Sequence, residues 1–163
     1  MTHHLKSARA LVVGIANYRH VSRLPPTVLQ DARDIHDLLA DPQHCGYPPG
    51  NVQLLLDGAA TQATIRQALA NLAAHSDLDS TVFCYVSSHG GRIESGPCAG
   101  EYLLPVDAAY TLAVAVAQTA ISGSEFIEAL RCAETGAGAG HPGFVAQQNA
   151  SSSGRCRRSK GGE

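Results

Sequence analysis

Apolar residues along this chain fall into two alternating patterns. The first is the short continuous run. Ala10-Leu11-Val12-Val13-Gly14-Ile15, Asn51-Val52-Gln53-Leu54-Leu55-Leu56 and Thr81-Val82-Phe83-Cys84-Tyr85-Val86 read as strands, the first of them buried on both faces. The second is helical spacing. Ala32, Ile35, Leu38 and Leu39 recur on one face between the first two runs, with Asp31 and Asp34 expected near that helix's start, where its dipole favours anions, and Pro42 as its stop. Thr61 can cap a second helix in which Ile65, Ala68, Leu69 and Leu72 line one face. Asp57-Gly58 is expected to be a turn, Glu101–Pro105 a short irregular strand, and Ser122 or Ser124 the start of a helix carrying Phe126, Ile127 and Leu130.

Strand, helix, strand, helix, strand predicts an α/β fold: a mostly parallel sheet with helices on both faces. The pattern ends near Arg131. From Ala133 to Glu163 there are seven glycines, and the large apolar residues are Phe144 and Val145. Such a segment buries too little surface to offset its ordering entropy. The expected organisation is a disordered N-terminus over 1–7, one α/β unit over 8–131 and a disordered tail over 132–163, whose basic end (Arg155, Arg157, Arg158, Lys160) reads as solvated.

Composition narrows the partners. The chain has 163 residues, 44% of them apolar and 16% charged, with a net charge of −2. That balance gives no basic excess for gripping nucleic acid. No stretch approaches the roughly 18 consecutive apolar residues of a membrane span, and the polar start Met1–Lys6 lacks the apolar core of a secretion signal. A cytoplasmic protein is expected, without nucleic-acid or membrane partners. Its five cysteines, with no CxxC pair, read as thiols rather than as a disulfide framework. The eight histidines show no metal-ligand spacing, and Gly136, Gly138 and Gly140 follow a helix rather than open one, so neither a metal nor another cofactor is expected.

The candidate chemistry lies at Ser87-Ser88-His89-Gly90-Gly91, directly after the third strand. In parallel sheets reactive groups gather beyond the carboxyl ends of the strands. An imidazole there can exchange a proton near neutral pH, and the glycines allow backbone amides to approach a reacting carbonyl. The other reading makes His89 a turn residue with glycines for backbone geometry. Asp31, expected to open its helix, either faces the same crevice and pairs with a basic substrate group or serves as a surface helix-dipole acid. Ser87 either lines that pocket or bonds backbone.

Together these segments resemble the caspase-like (clan CD, metacaspase-type) cysteine peptidase domain. The resemblance rests on Ala10–Tyr18, Gln30-Asp31-Ala32-Arg33-Asp34, Asn51–Asp57, Val82–Gly90, Tyr102–Ala108 and Ile121–Phe126. It implies proteolysis of protein or peptide substrates after Arg or Lys. It makes His89 the catalytic histidine, Gly90 an oxyanion-site glycine, and Asp31 and Ser87 the lining of the pocket for the basic residue. Ser88 stands where the family has glycine. The family's nucleophile lies on a further strand in a D-x-C-H-x-G motif, which this sequence lacks. Cys132 sits at the matching stage without flanking Asp and His, and Cys45, Cys84, Cys98 and Cys156 do not fit. The chain is therefore expected to be truncated before the cysteine-bearing strand, with the C-terminal part of the sheet missing and a change of reading frame near Arg131 as one explanation. An unpaired strand edge left this way invites self-association. Three functions stay open: an endopeptidase, an inactive binding protein, or a non-functional fragment.

Overall fold

The computed structural model describes residues 7–77 and 79–135. Expectations about Met1–Lys6, Phe144, Val145, Cys156 and the basic tail lie outside the described residues.

The elements, in chain order, are β1 (Arg9–Gly14), α1 (Thr27–Ala40), β2 (Val52–Leu56), a 3-10 turn (Asp57–Ala59), α2 (Gln62–Ala74), β3 (Val82–Ser87), β4 (Gly90–Ile93), β5 (Gly100–Leu103), α3 (Ala113–Thr119), β6 (Ile121–Ser122) and α4 (Gly123–Thr135). The three apolar runs form one parallel sheet in the order β2-β1-β3. Its central strand pairs Ala10 with Val52 through Gly14 with Leu56 on one side, and Arg9 with Val82 through Gly14 with Ser87 on the other.

Side chains of a strand alternate between faces, and both faces of this sheet are covered. Leu11 and Val13 of β1, Leu55 and Cys84 pack with Ile65, Ala68, Leu69 and Leu72 of α2. Ala10, Val12 and Tyr85 pack on the opposite face with Ala32 and Leu39 of α1. Each fully buried aliphatic side chain here is worth about 1.5–3 kcal/mol. The α2 cap is as read from sequence: the Thr61 hydroxyl accepts from the Thr64 amide. Ser122 does the same for α4, accepting from the Glu125 N–H at 3.1 Å. α4 lies beside α2, joined by the two-pronged Arg66–Glu125 pair.

Four points differ from the sequence reading. α1 begins earlier, at Thr27 after Pro26, because proline's fixed φ suits a helix start, where its missing N–H costs nothing. Asp31 therefore does not open the helix; the first turn carries no acidic residue. Leu38, expected on the apolar face, is exposed. A second sheet, antiparallel in the order β4-β5-β6, follows β3, so Gly90 and Gly91 open a strand rather than form a free glycine loop. Finally, α3 was not expected, and α4 runs on to Thr135.

Gly14, at the carboxyl end of β1, lets α1 approach the sheet. A Cβ there would meet the Ala32 Cβ at 2.7 Å and the Val28 carbonyl at 3.2 Å. Replacing Gly14 with Ala should cost about 1–3 kcal/mol, as overpacking does. A urea unfolding midpoint lowered with an unchanged slope would show it.

Candidate functional site

The parallel register brings three chain segments to one edge of the sheet. Gly14 lies beside both Leu56 and Ser87. The loop after β1, the turn after β2 and the bend after β3 therefore leave the sheet side by side, and His89 stands on the third of them.

His89 is buried, with 8% of its surface exposed. Its backbone N–H and its ring are both bound by the loop after β1. Its backbone N–H donates to the Tyr18 hydroxyl oxygen at 2.7 Å, and its ring Nε2 lies 2.9 Å from the Ser22 carbonyl oxygen. A carbonyl only accepts, so this bond places a proton on Nε2 and, in the neutral ring, leaves Nδ1 as the basic nitrogen. The Tyr18 ring packs against the imidazole, centroids 5.0 Å apart and planes tilted by 48°. The ring is thus held by a hydrogen bond on one nitrogen and by an aromatic face.

Tyr18 is held in turn. Burial pushes its phenol up to about 12, against the opposing bond from His89. The loop carrying it is tied at several points. Ile15 donates to the Ser87 carbonyl, Arg19 to the Val106 carbonyl and Leu24 to the Ala16 carbonyl, at 3.0, 3.0 and 2.9 Å. The Asp57 carboxylate accepts from the amides of Ala16 and Asn17 at 2.8 and 2.9 Å and from the Asn17 side chain at 2.7 Å. Partial burial raises the Asp57 pKa, but these donors and the nearby Arg33 charge outweigh it and hold the carboxyl below its usual value.

Gly90 is exposed, and a Cβ on it would find no neighbour closer than the Tyr102 carbonyl at 3.8 Å. Leu104 donates to the His89 carbonyl at 3.0 Å. By the alternation of antiparallel pairing, Gly90, opposite Leu103, turns its N–H away from β5.

Asp31 and Ser87 both act on the ionisation of Tyr85. Burial raises the Tyr85 pKa first, the Asp31 charge adds to it, and a hydrogen bond with Ser87 opposes it. Ser87 is buried and Asp31 exposed. Of the four sequence-chosen residues, Ser87, His89 and Gly90 lie at or just beyond the carboxyl end of β3, and Asp31 lies within α1. Sequence reasoning missed Ser22, whose contribution is a backbone carbonyl and carries no side-chain signal. Tyr18, Asn17 and Asp57 were visible only as parts of family-like stretches.

The described cysteines lie elsewhere. Cys84 is buried between β1 and α2, and burial pushes its thiol up to about 12. That is the opposite of the lowered pKa a nucleophilic thiolate needs. Cys45 and Cys98 are half-buried, the former packed on the α1 side of the sheet, and Cys132 is on the exposed surface of α4. Among the described residues no group of three or more His, Cys, Asp and Glu side chains could hold a metal, and no helix is long and apolar enough to cross a membrane.

The family model for the caspase domain matches residues 7–147. The chain belongs to the caspase-domain family, a family of cysteine peptidases. Among solved structures, this caspase domain is similar to protein GSU0716 from Geobacter sulfurreducens, with a TM-score of 0.60 at 18% sequence identity. The likeness is one of fold. It covers 87% of this chain and 48% of that one, so the chain spans about half the length of its solved neighbour. No curated protein matches it.

An unfolded tyrosine ionises near 10 and Tyr18 near 12, so the unfolded state releases its proton first. The stability this group contributes is complete below pH 10 and is lost as the pH rises from 10 to 12. Buried Cys84 adds a similar loss from its ordinary value of 9 upward. Urea midpoints measured against pH should fall across this range, and Tyr18→Phe should flatten the part above 10 while leaving the Cys84 part. Gly90→Ala, having room for its methyl, should shift stability by no more than about 0.5 kcal/mol in the same assay.

Proposed function

We propose that this caspase domain contributes the acid/base and substrate-orienting half of a cysteine endopeptidase site that cleaves protein or peptide chains after Arg or Lys. The observation that carries the reading is the Nε2 bond of His89 to the Ser22 carbonyl, because it leaves Nδ1 as the ring's basic nitrogen. In this reading His89 takes the thiol proton and returns it to the leaving amine. The Gly90 amide donates to the oxyanion. Asp31 pairs with the guanidinium or ammonium of the substrate, with Ser87 beside it. The family resemblance puts the thiol on a strand next to β3, and among the described residues that edge of β3 has no strand neighbour.

The same edge supports a second reading. A domain that offers its β3 edge, and the Asp31 pocket, to a partner or to a second copy of itself would bind without turnover, since an open edge is a template for added strands.

Hydrolysis of fluorogenic peptides ending in Arg, Lys or Asp separates the two. With a polypeptide carrying the cysteine-bearing strand supplied, the peptidase reading expects cleavage after Arg and Lys that iodoacetamide abolishes. His89→Ala should lower it by about 10²–10⁴-fold, the range of acid/base catalysis, and Asp31→Asn should weaken the Arg preference by about two- to fivefold, as loss of an exposed ion pair does. Folded protein that binds the Arg peptide without cleaving it establishes the binding reading. Neither binding nor cleavage overturns both.

A further inference from the structure

His89 and Asp57 stand at the ends of the two outer strands, on opposite sides of β1. Between them runs the loop that supplies both partners of the histidine: the Tyr18 hydroxyl for its backbone and the Ser22 carbonyl for its ring. That loop closes on Ala16. The Ala16 carbonyl accepts from Leu24 at 2.9 Å, and its N–H is bound by Asp57 at 2.8 Å. The next peptide N–H and the Asn17 side chain go to the same carboxylate.

Asp57 takes an unusual backbone conformation to do this. Its φ is +42°, the one left-handed non-glycine residue among those described, with Gly58 immediately after it. A turn alone would be served better by glycine at that position. An aspartate held there against its backbone preference, accepting three hydrogen bonds from the neighbouring loop, does more than turn the chain.

We propose that Asp57 is the positioning residue of His89: by fixing the Ala16–Asn17 backbone it sets the loop that holds the imidazole with its proton on Nε2. The proposal rests on the acid/base role given to His89 above, but its test reads the ring directly and needs no turnover. Failure of the peptidase reading therefore shows in the cleavage assay, and failure of this one in the ring.

The test follows the His89 Nε2–H proton by NMR in the full-length chain labelled with ¹⁵N. Bonded to Ser22 and buried, it should exchange slowly enough with water to be observed. Asp57→Gly keeps the left-handed backbone available and removes the acceptors. It should speed exchange of that proton by about five- to tenfold, as loss of one net hydrogen bond implies. Asp57→Asn retains a side-chain oxygen for both amides and should restore most of the protection. Leu69→Ala, which weakens the core under α2, separates positioning from general loss of stability and should leave the ring proton at its parental rate. Unchanged exchange in folded Asp57→Gly overturns the proposal, as does equal acceleration in Leu69→Ala. If Asp57→Gly does not fold, Asn17→Ala decides: it removes one of the three donors from an exposed side chain, and exchange no faster than in the parent overturns the proposal.

Discussion

Parallel pairing of β1 with both of its neighbours is the constraint on which the rest of the site depends. In a parallel sheet every strand ends at the same edge, so the segments that leave it are neighbours in space however far apart they lie in sequence. Here Gly14 pairs with Leu56 on one side and with Ser87 on the other. A slip of one residue would turn every side chain of a strand to the opposite face. It would move Leu11 and Val13 from the α2 side and Ala10 and Val12 from the α1 side. The hydrophobic pattern that covers both faces thus also fixes where His89 emerges relative to the loop after β1.

That placement buries a polar ring, which is costly unless its hydrogen bonds are made. The described residues make them with backbone and phenol rather than with a second charged group. The Ser22 carbonyl selects the protonated nitrogen, and the Tyr18 ring limits how the imidazole can turn. No buried side-chain nitrogen or oxygen among the described residues lacks a partner. The charge that stabilises the arrangement, the Asp57 carboxylate, sits one loop away and acts on backbone amides.

The parts of this structure legible in the sequence are those set by local rules. The three parallel strands follow from short apolar runs, and α2 from its threonine cap and four-residue face. The misreadings are also local. Pro25-Pro26 looks like a loop, yet Pro26 is the position just before α1, so the helix starts a turn early and Asp31 moves off its N-terminus. The alternating small residues of Ala113–Thr119 carry neither a strand nor a helix signature, and α3 forms because Val116 is buried against the core. Gly90-Gly91 reads as conformational freedom, whereas Gly91 is a buried strand residue packed under Tyr110 and Leu104. His89 could be singled out by its position after a strand. The groups that orient it could not, because a carbonyl at Ser22 and the amides at Ala16 and Asn17 have no side-chain signature and become specific only when the sheet brings them together.

The outer edge of β3 extends the same geometry. Its Val82, Phe83 and Val86 are half-buried, and among the described residues no strand pairs along it. Parallel sheets covered on both faces are built from strands buried on both sides, and the half-buried apolar residues of β3 fit such a sheet. A parallel strand in that place would end beside His89 for the reason the loop after β1 does: its carboxyl end must fall at the common edge. The sheet therefore determines where a reacting group would have to stand, whichever polypeptide carries it. On the β1 side the imidazole is held by Tyr18 and Ser22, and the Gly90 amide is turned away from β5.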